Sequence, residues 1–287
     1  VTLKFRRLLE EGVRKFAEGG YTSEAEVQEW IVRLHATLER ELPSDDQSRA
    51  QLKRILESIY AREVGGGLAR KIPGLSRYTL DRVSPQLRAE LDRRIFAAAD
   101  LIRLNKRQAV EKTLQRFAGW VSSVPPAGAI NYSARSLATD IGKSIAQLKF
   151  ERRRVAIDQG HKLIAAVAHV VAGGQGAIAA VWHDRGEHDH GYDARPEHLK
   201  RSGTLFLVRD SWAAEEGLLR KPPGAKYTDD FEQPAELPYC SCYYEYVTTP
   251  DRLPREFLSG RGRAYVSGKP IDERSGAISL AQYRSAV

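Results

Sequence analysis

From Leu3 to Ala172 the apolar residues recur every three or four positions, the period of an amphipathic helix. Leu8, Leu9, Val13 and Phe16 mark a first helix over 3–18, and Gly19-Gly20 stops it. Ser23-Glu24-Ala25-Glu26 has the form of a capping box, and Val27, Trp30, Ile31, Leu34 and Leu38 lie on one face of the helix behind it. Pro43 ends that helix. Ser44-Asp45-Asp46-Gln47 caps a third, which carries Leu52, Ile55, Leu56 and Ile59 and breaks at Gly65-Gly66-Gly67. Residues 71–83 read as irregular, with a turn at Pro73-Gly74. Ser84-Pro85 then predicts an N-cap and first helical position. The helix behind it runs through Leu87, Leu91, Ile95, Ala98 and Ile102, and continues with a bend through Asn105 to Trp120. Val121–Tyr132, with Pro125-Pro126 and Gly128, is a corner. Ser133 opens the last helical run, through Leu137, Ile141, Ile145, Leu148 and Val155 to Ala172, with a break near Gly160.

Gly173-Gly174-Gln175-Gly176 ends that regime. Beyond it the apolar runs are short and separated by Gly, Pro and Asp, which predicts strands at Ile178–Trp182, Thr204–Val208 and Tyr243–Val247. After Pro250 come Arg261, Arg263 and small residues, the make-up of an extended tail. The expected fold is therefore α+β. A helical region (1–125) and a long helix or connector (126–176) precede a small C-terminal α/β domain (177–249), and an extended tail (250–287) closes the chain.

Composition narrows the class. The chain has 287 residues, 42% hydrophobic and 29% charged, which excludes disorder. Its longest apolar run, Leu163–Gly173, is too short for a bilayer and carries His169, so no membrane partner is expected. Val1–Arg7 lacks the apolar stretch of a secretory leader, and synthesis in a cytoplasm with reduced thiols is the expectation. The formal charge of +8 favours polyanionic partners, nucleic acid foremost. Lys149, Arg152, Arg153 and Arg154 form a basic run, a candidate DNA contact that equally suits a solvated helix face.

Unusual chemistry gathers between Ala177 and Val247. Four of the seven histidines fall between His183 and His198, and both cysteines, Cys240 and Cys242, sit two residues apart. A Cys-x-Cys pair in a strand points both sulfurs to one face and does not readily close a disulfide. With His198 the cysteines are candidate zinc ligands, and His183, His188 or His190 could supply a fourth. The bland alternative is a pair of buried thiols with His198 hydrogen-bonded to a neighbouring carbonyl or to Asp193. His183-Asp184 and His188-Asp189-His190 also resemble metal-ligand runs of a nuclease, though a solvated His-rich loop explains them as well. Gly142-Lys143-Ser144 matches only the end of a phosphate loop: the position of its first glycine is Leu137, and the run lies within a helical period.

The order of these features resembles the Mu F-like family of phage head morphogenesis proteins, also called minor head or minor capsid proteins. The matching pieces are Val181-Trp182-His183, then Asp193-Ala194-Arg195-Pro196-Glu197-His198, Gly203, Pro222-Pro223-Gly224, and Cys240-Ser241-Cys242-Tyr243. The upstream segment Ser133–Gly173, with Ala134-Arg135 and Arg152-Arg153-Arg154, is similar to the family's long helix. The resemblance covers the last half of the chain. It departs at Tyr239-Cys240-Ser241-Cys242, where the family usually reads Asn-Cys-Arg-Cys, and in the extra histidines of 183–190.

The resemblance implies a structural, non-enzymatic virion protein, located in the head of a tailed phage near the portal vertex. It implies the portal protein as partner, with capsid or scaffolding protein and packaged DNA beside it, and a role in head morphogenesis, genome packaging or ejection. Asp193, Arg195, His198 and Gly203 are expected to tie the small domain together without catalysing a reaction. The rival expectations are a metal-dependent nuclease or toxin-like effector acting on nucleic acid, and a head–tail adaptor.

Overall fold

A computed structural model describes residues 3–21, 23–126, 128–129, 133–184 and 195–268. Its element order is α1 (Leu3–Gly19), α2 (Glu24–Glu41), α3 (Asp45–Val64), α4 (Arg77–Ser123), α5 (Ala134–Ile141), α6 (Lys143–Gly174), β1 (Ala179–His183), α7 (Pro196–Arg201), β2 (Leu205–Leu207), α8 (Trp212–Glu215), β3 (Tyr243–Val247) and α9 (Gly260–Val266). Helices thus fill the N-terminal part, and a three-stranded sheet with short helices follows, as the periodicity predicts. Among the described residues no helix is long and apolar enough to cross a membrane.

The caps explain where the first helices begin. Glu26 N donates to Ser23 Oγ at 3.3 Å. At α3 both halves of the box form: Gln47 N donates to Ser44 Oγ at 3.1 Å and Ser44 N donates to Gln47 Oε1 at 3.0 Å. Two boundaries differ from the reading of the sequence. Helix α4 starts at Arg77, because Ser76 Oγ accepts from Thr79 N at 3.1 Å, and Pro85 lies inside the helix rather than at its start. The break in the last helical run falls at Gly142, not at Gly160. Gly160 continues α6 and serves close packing instead: a Cβ there would stand 2.9 Å from Ile59 Cδ1.

The chain forms two compact units, Val1–Ile55 with Ile95–Ile157, and Leu56–Arg94 with Asp158–Val287. Neither follows the linear division expected from the sequence, since the boundaries fall inside α3, α4 and α6. The first unit is built on Phe5, Leu9, Phe16, Trp30, Leu34 and Phe117. Phe16 and Phe117 meet edge to face, with centroids 6.0 Å apart.

In the second unit the sheet order is β2-β1-β3, antiparallel throughout. Register puts Ala179 opposite Leu207 and Val247, and this face packs with Leu253 and Leu258. Residues 250–268 are therefore not the extended tail expected. They form two 3-10 turns and α9, whose Ser259 Oγ accepts from Gly262 N at 2.9 Å. The remainder of that segment lies outside the described residues. The opposite face of the sheet carries Trp182, Phe206, Tyr244 and Tyr246, and the candidate site is built on it.

Candidate metal centre

The site begins with Trp182. Its indole is fully buried, and its strand neighbours continue the aromatic face, with Tyr244 directly across at 5.5 Å between centroids. Gly203, at φ 77°, turns the chain out of α7 so that its N–H donates to Trp182 O at 2.8 Å. Pro196 opens α7 at a position where the missing N–H costs nothing. That helix is only two turns long, and it delivers His198 against Trp182 at 5.2 Å.

Cys240 and Cys242 arrive from the other direction, in the loop before β3 rather than within a strand. Tyr239, at φ 64°, and Ala235, at φ 63°, bend this loop through the left-handed region that residues with a Cβ rarely occupy. Ala235 N donates to Cys240 Sγ at 3.4 Å, and Tyr239 N donates to Asp158 Oδ1 of α6 at 2.8 Å. Backbone strain is thus stored where the sulfurs are aimed.

The outcome is a buried triad. His198 Nδ1 lies 3.4 Å from Cys240 Sγ and 3.6 Å from Cys242 Sγ, with the residues 2%, 3% and 5% exposed. Tetrahedral zinc, with bonds of about 2.3 Å to sulfur and about 2.0 Å to nitrogen, sets sulfur–nitrogen edges of about 3.6 Å. The triad is positioned to coordinate a metal ion.

The donors suit that task. Burial and the Cys242 thiol act on Cys240 in opposite senses: the hydrogen bond from Cys242 dominates and pulls the Cys240 thiol down to about 5. Cys242 is pushed up, first by donating to Cys240 and then by burial. Two sulfurs, with Cys240 the more easily ionised of the pair, and one imidazole nitrogen therefore face a common point.

The second layer is equally ordered. With Nδ1 turned to the sulfurs, His198 Nε2 donates to Glu232 Oε1 at 3.3 Å, the carboxylate–histidine arrangement that fixes the tautomer of a ligating imidazole. Arg201 grips Glu232 with two N–H groups, at 2.9 and 3.4 Å, and lies over the Phe231 ring at 4.3 Å. The Arg201 hydrogen bond, above the other causes, holds the Glu232 carboxyl below its usual range. At the rim, Asp184 Oδ1 lies 3.7 Å from Cys242 Sγ, and Asp184 N donates to Ser202 Oγ at 3.2 Å.

Other residues singled out in the sequence have different fates. His183 is not part of the cluster: alternation along β1 turns it to the face opposite Trp182, where it stacks on Tyr243 at 5.1 Å, its Nε2 3.3 Å from Glu245 Oε2. Arg195 donates to Pro238 O at 3.1 Å, tying the start of α7 to the cysteine loop. Asp193, His188, Asp189 and His190 lie outside the described residues. Lys149, Arg152, Arg153 and Arg154 are on α6 in the first unit, with Lys149 and Arg153 exposed and Arg154 over the Phe150 ring at 5.2 Å. Glu232 and Arg201 went unrecognised in the sequence, whereas Asp184 was noted there only beside His183 as part of a metal-ligand run; a carboxylate needed behind a ligating histidine is a signal of type, not of position.

The expectation of a chain without a catalytic centre is corrected by this cluster. Two cysteines and one histidine supply three of the four ligands that tetrahedral zinc takes, and no fourth Cys or His joins them among the described residues. Comparison with known proteins adds no precedent: no family model, no curated protein and no solved structure matches the chain.

Proposed function

We propose that the second unit is a zinc-dependent catalytic centre that acts on nucleic acid, with the metal held by His198, Cys240 and Cys242. The observation that carries this reading is the convergence of three buried soft donors within 4.8 Å of one another. A zinc ion held there would supply Lewis-acid chemistry at neutral pH. Glu232 keeps His198 in the ligating tautomer, and Arg201 keeps Glu232 ionised. Asp184, beside Cys242, is the carboxylate placed to take a proton from an incoming water. The basic balance of the chain favours a polyanionic substrate.

The test is metal analysis of the purified chain alongside cleavage assays on DNA and RNA. His198→Ala and Cys240→Ser should lose both zinc and cleavage, while Asp184→Asn should keep zinc and lose cleavage. A zinc-loaded chain with no activity on either nucleic acid would sink the catalytic part of the reading, and a chain that binds no metal would sink all of it.

A second reading concerns where the chain works. Arg195, His198, Gly203, Cys240 and Cys242, from the motif order that resembles the Mu F-like family, bear on one site, while His183 of that order faces away from it. This favours a minor head protein of a tailed phage, associated with the portal vertex and active in head morphogenesis, DNA packaging or ejection. Co-purification with virions, or binding to a portal protein, is the outcome that reading requires.

A further inference from the structure

One wall of the metal centre opens on a cleft of about 440 Å³. Cys242 is the ligand that reaches it; His198 and Cys240 stay behind. The cleft lies wholly in the second unit, between Glu90–Arg94 of α4, the second half of α6 and the strand β3. Its size is that of a small-molecule site, and its lining is mainly apolar with a few convergent polar groups.

Four of those groups are cations, Lys71, Arg93, Arg94 and Lys162, and two are the carboxylates Glu90 and Glu236. Arg93 and Arg94, adjacent on α4, both bind the one carboxylate of Glu90, at 2.6 Å each, so two guanidiniums share a single counter-charge. Lys162 of α6 stands 2.9 Å from Asp158 Oδ2, and Lys71 is held by Glu63 at 2.5 Å. Helix contacts at i to i+3 and i to i+4 hold the arginine forks in position before any ligand arrives.

We propose that this cleft binds a nucleotide, with its phosphate on Arg93, Arg94 and Lys162, beside the metal triad. The inference rests on the metal-centre reading in that it names the substrate of the same site. The tyrosines of β3 furnish apolar and aromatic surface for the base, and the guanidinium forks suit phosphate oxygens in pairs.

The test is binding of a short fluorescein-labelled single-stranded DNA to the full-length chain, with zinc content measured on the same samples. Arg93→Gln with Arg94→Gln, and Lys162→Gln separately, should weaken binding about tenfold or more, the loss expected for charge-assisted phosphate contacts, with zinc unchanged. A nucleoside monophosphate should compete for the cleft better than inorganic phosphate. Equal competition would mean an anion site only and would overturn the nucleotide assignment, as would unchanged DNA binding in both variants. Absence of zinc from the parent chain, with DNA binding retained and still sensitive to Lys162→Gln, would keep the cleft and remove the metal-centre reading alone.

Discussion

His198 owes its role to what stands on each side of its ring. Nδ1 meets the two sulfurs and Nε2 meets Glu232, so one imidazole links the donor set to the Arg201 ion pair. Glu232→Gln keeps the shape and removes the charge. It should lower zinc affinity about 10- to 100-fold, the usual cost of losing a carboxylate behind a ligating histidine, as read by chelator competition. The same variant carries a pH signature. The folded-state carboxyl of Glu232 is depressed, so its stabilisation is present above the ordinary carboxylate range and fades as pH falls through the folded value. Acid unfolding of the Gln variant should therefore be less steep than that of the parent chain below that range, and identical acid limbs would count against the pairing. Left-handed backbone at Ala235 and Tyr239 belongs to the same scale: it is local strain held in place by the bonds it makes possible, to Cys240 and to Asp158.

At the scale of elements, two short pieces do what longer ones could not. Helix α7 is six residues long and would not form alone in water, yet Pro196 and the turn at Gly203 fix both its ends against β1. Helix α9 closes the other face of the sheet. It comes so close to the α8–β3 connection that a Cβ on Gly262 would stand 2.1 Å from Leu218 O, a distance no side chain tolerates. Gly262→Ala should therefore dislodge α9 and cost about 1–3 kcal/mol, with residues 250–268 gaining hydrogen-exchange rate and protease sensitivity. An unchanged melting temperature would show that this segment is not docked as described. Gly160 repeats the logic in α6, where the missing Cβ admits Ile59 rather than breaking the helix.

Considered whole, the chain divides its labour between two cores. The aromatic cluster of Phe16, Trp30 and Phe117 belongs to the first unit, and every group of the metal centre and the cleft belongs to the second. Phe117 is completely buried, so Phe117→Ala should cost about 3–5 kcal/mol of stability. Because the altered site shares no partner with His198, Cys240 or Cys242, zinc stoichiometry of the folded variant should be unchanged. Loss of zinc from a still-folded Phe117→Ala chain would mean that the two cores are coupled.

Local pattern by itself determined the helical N-terminal part, the three strands and the helix starts at Ser23 and Ser44, because periodicity and caps act over a few residues. It also singled out His198, Cys240 and Cys242, since soft donors are rare enough in this chain to be noticed. Boundaries that depended on a distant partner escaped it. Gly160 reads as a breaker until Ile59 is seen against it, and residues 250–268 read as a tail until Leu253 and Leu258 are seen on the sheet. The choice of His198 over His183 was likewise tertiary: strand alternation sends one histidine away, while α7 brings the other in from fifteen residues further on. Glu232, Arg201 and the cleft beside Cys242 carry no sequence signal at all. They exist only because antiparallel pairing of β1 and β3 sets Tyr244 against Trp182 and brings the loop before β3 to the end of α7, a juxtaposition of residues far apart along the chain that no local rule encodes.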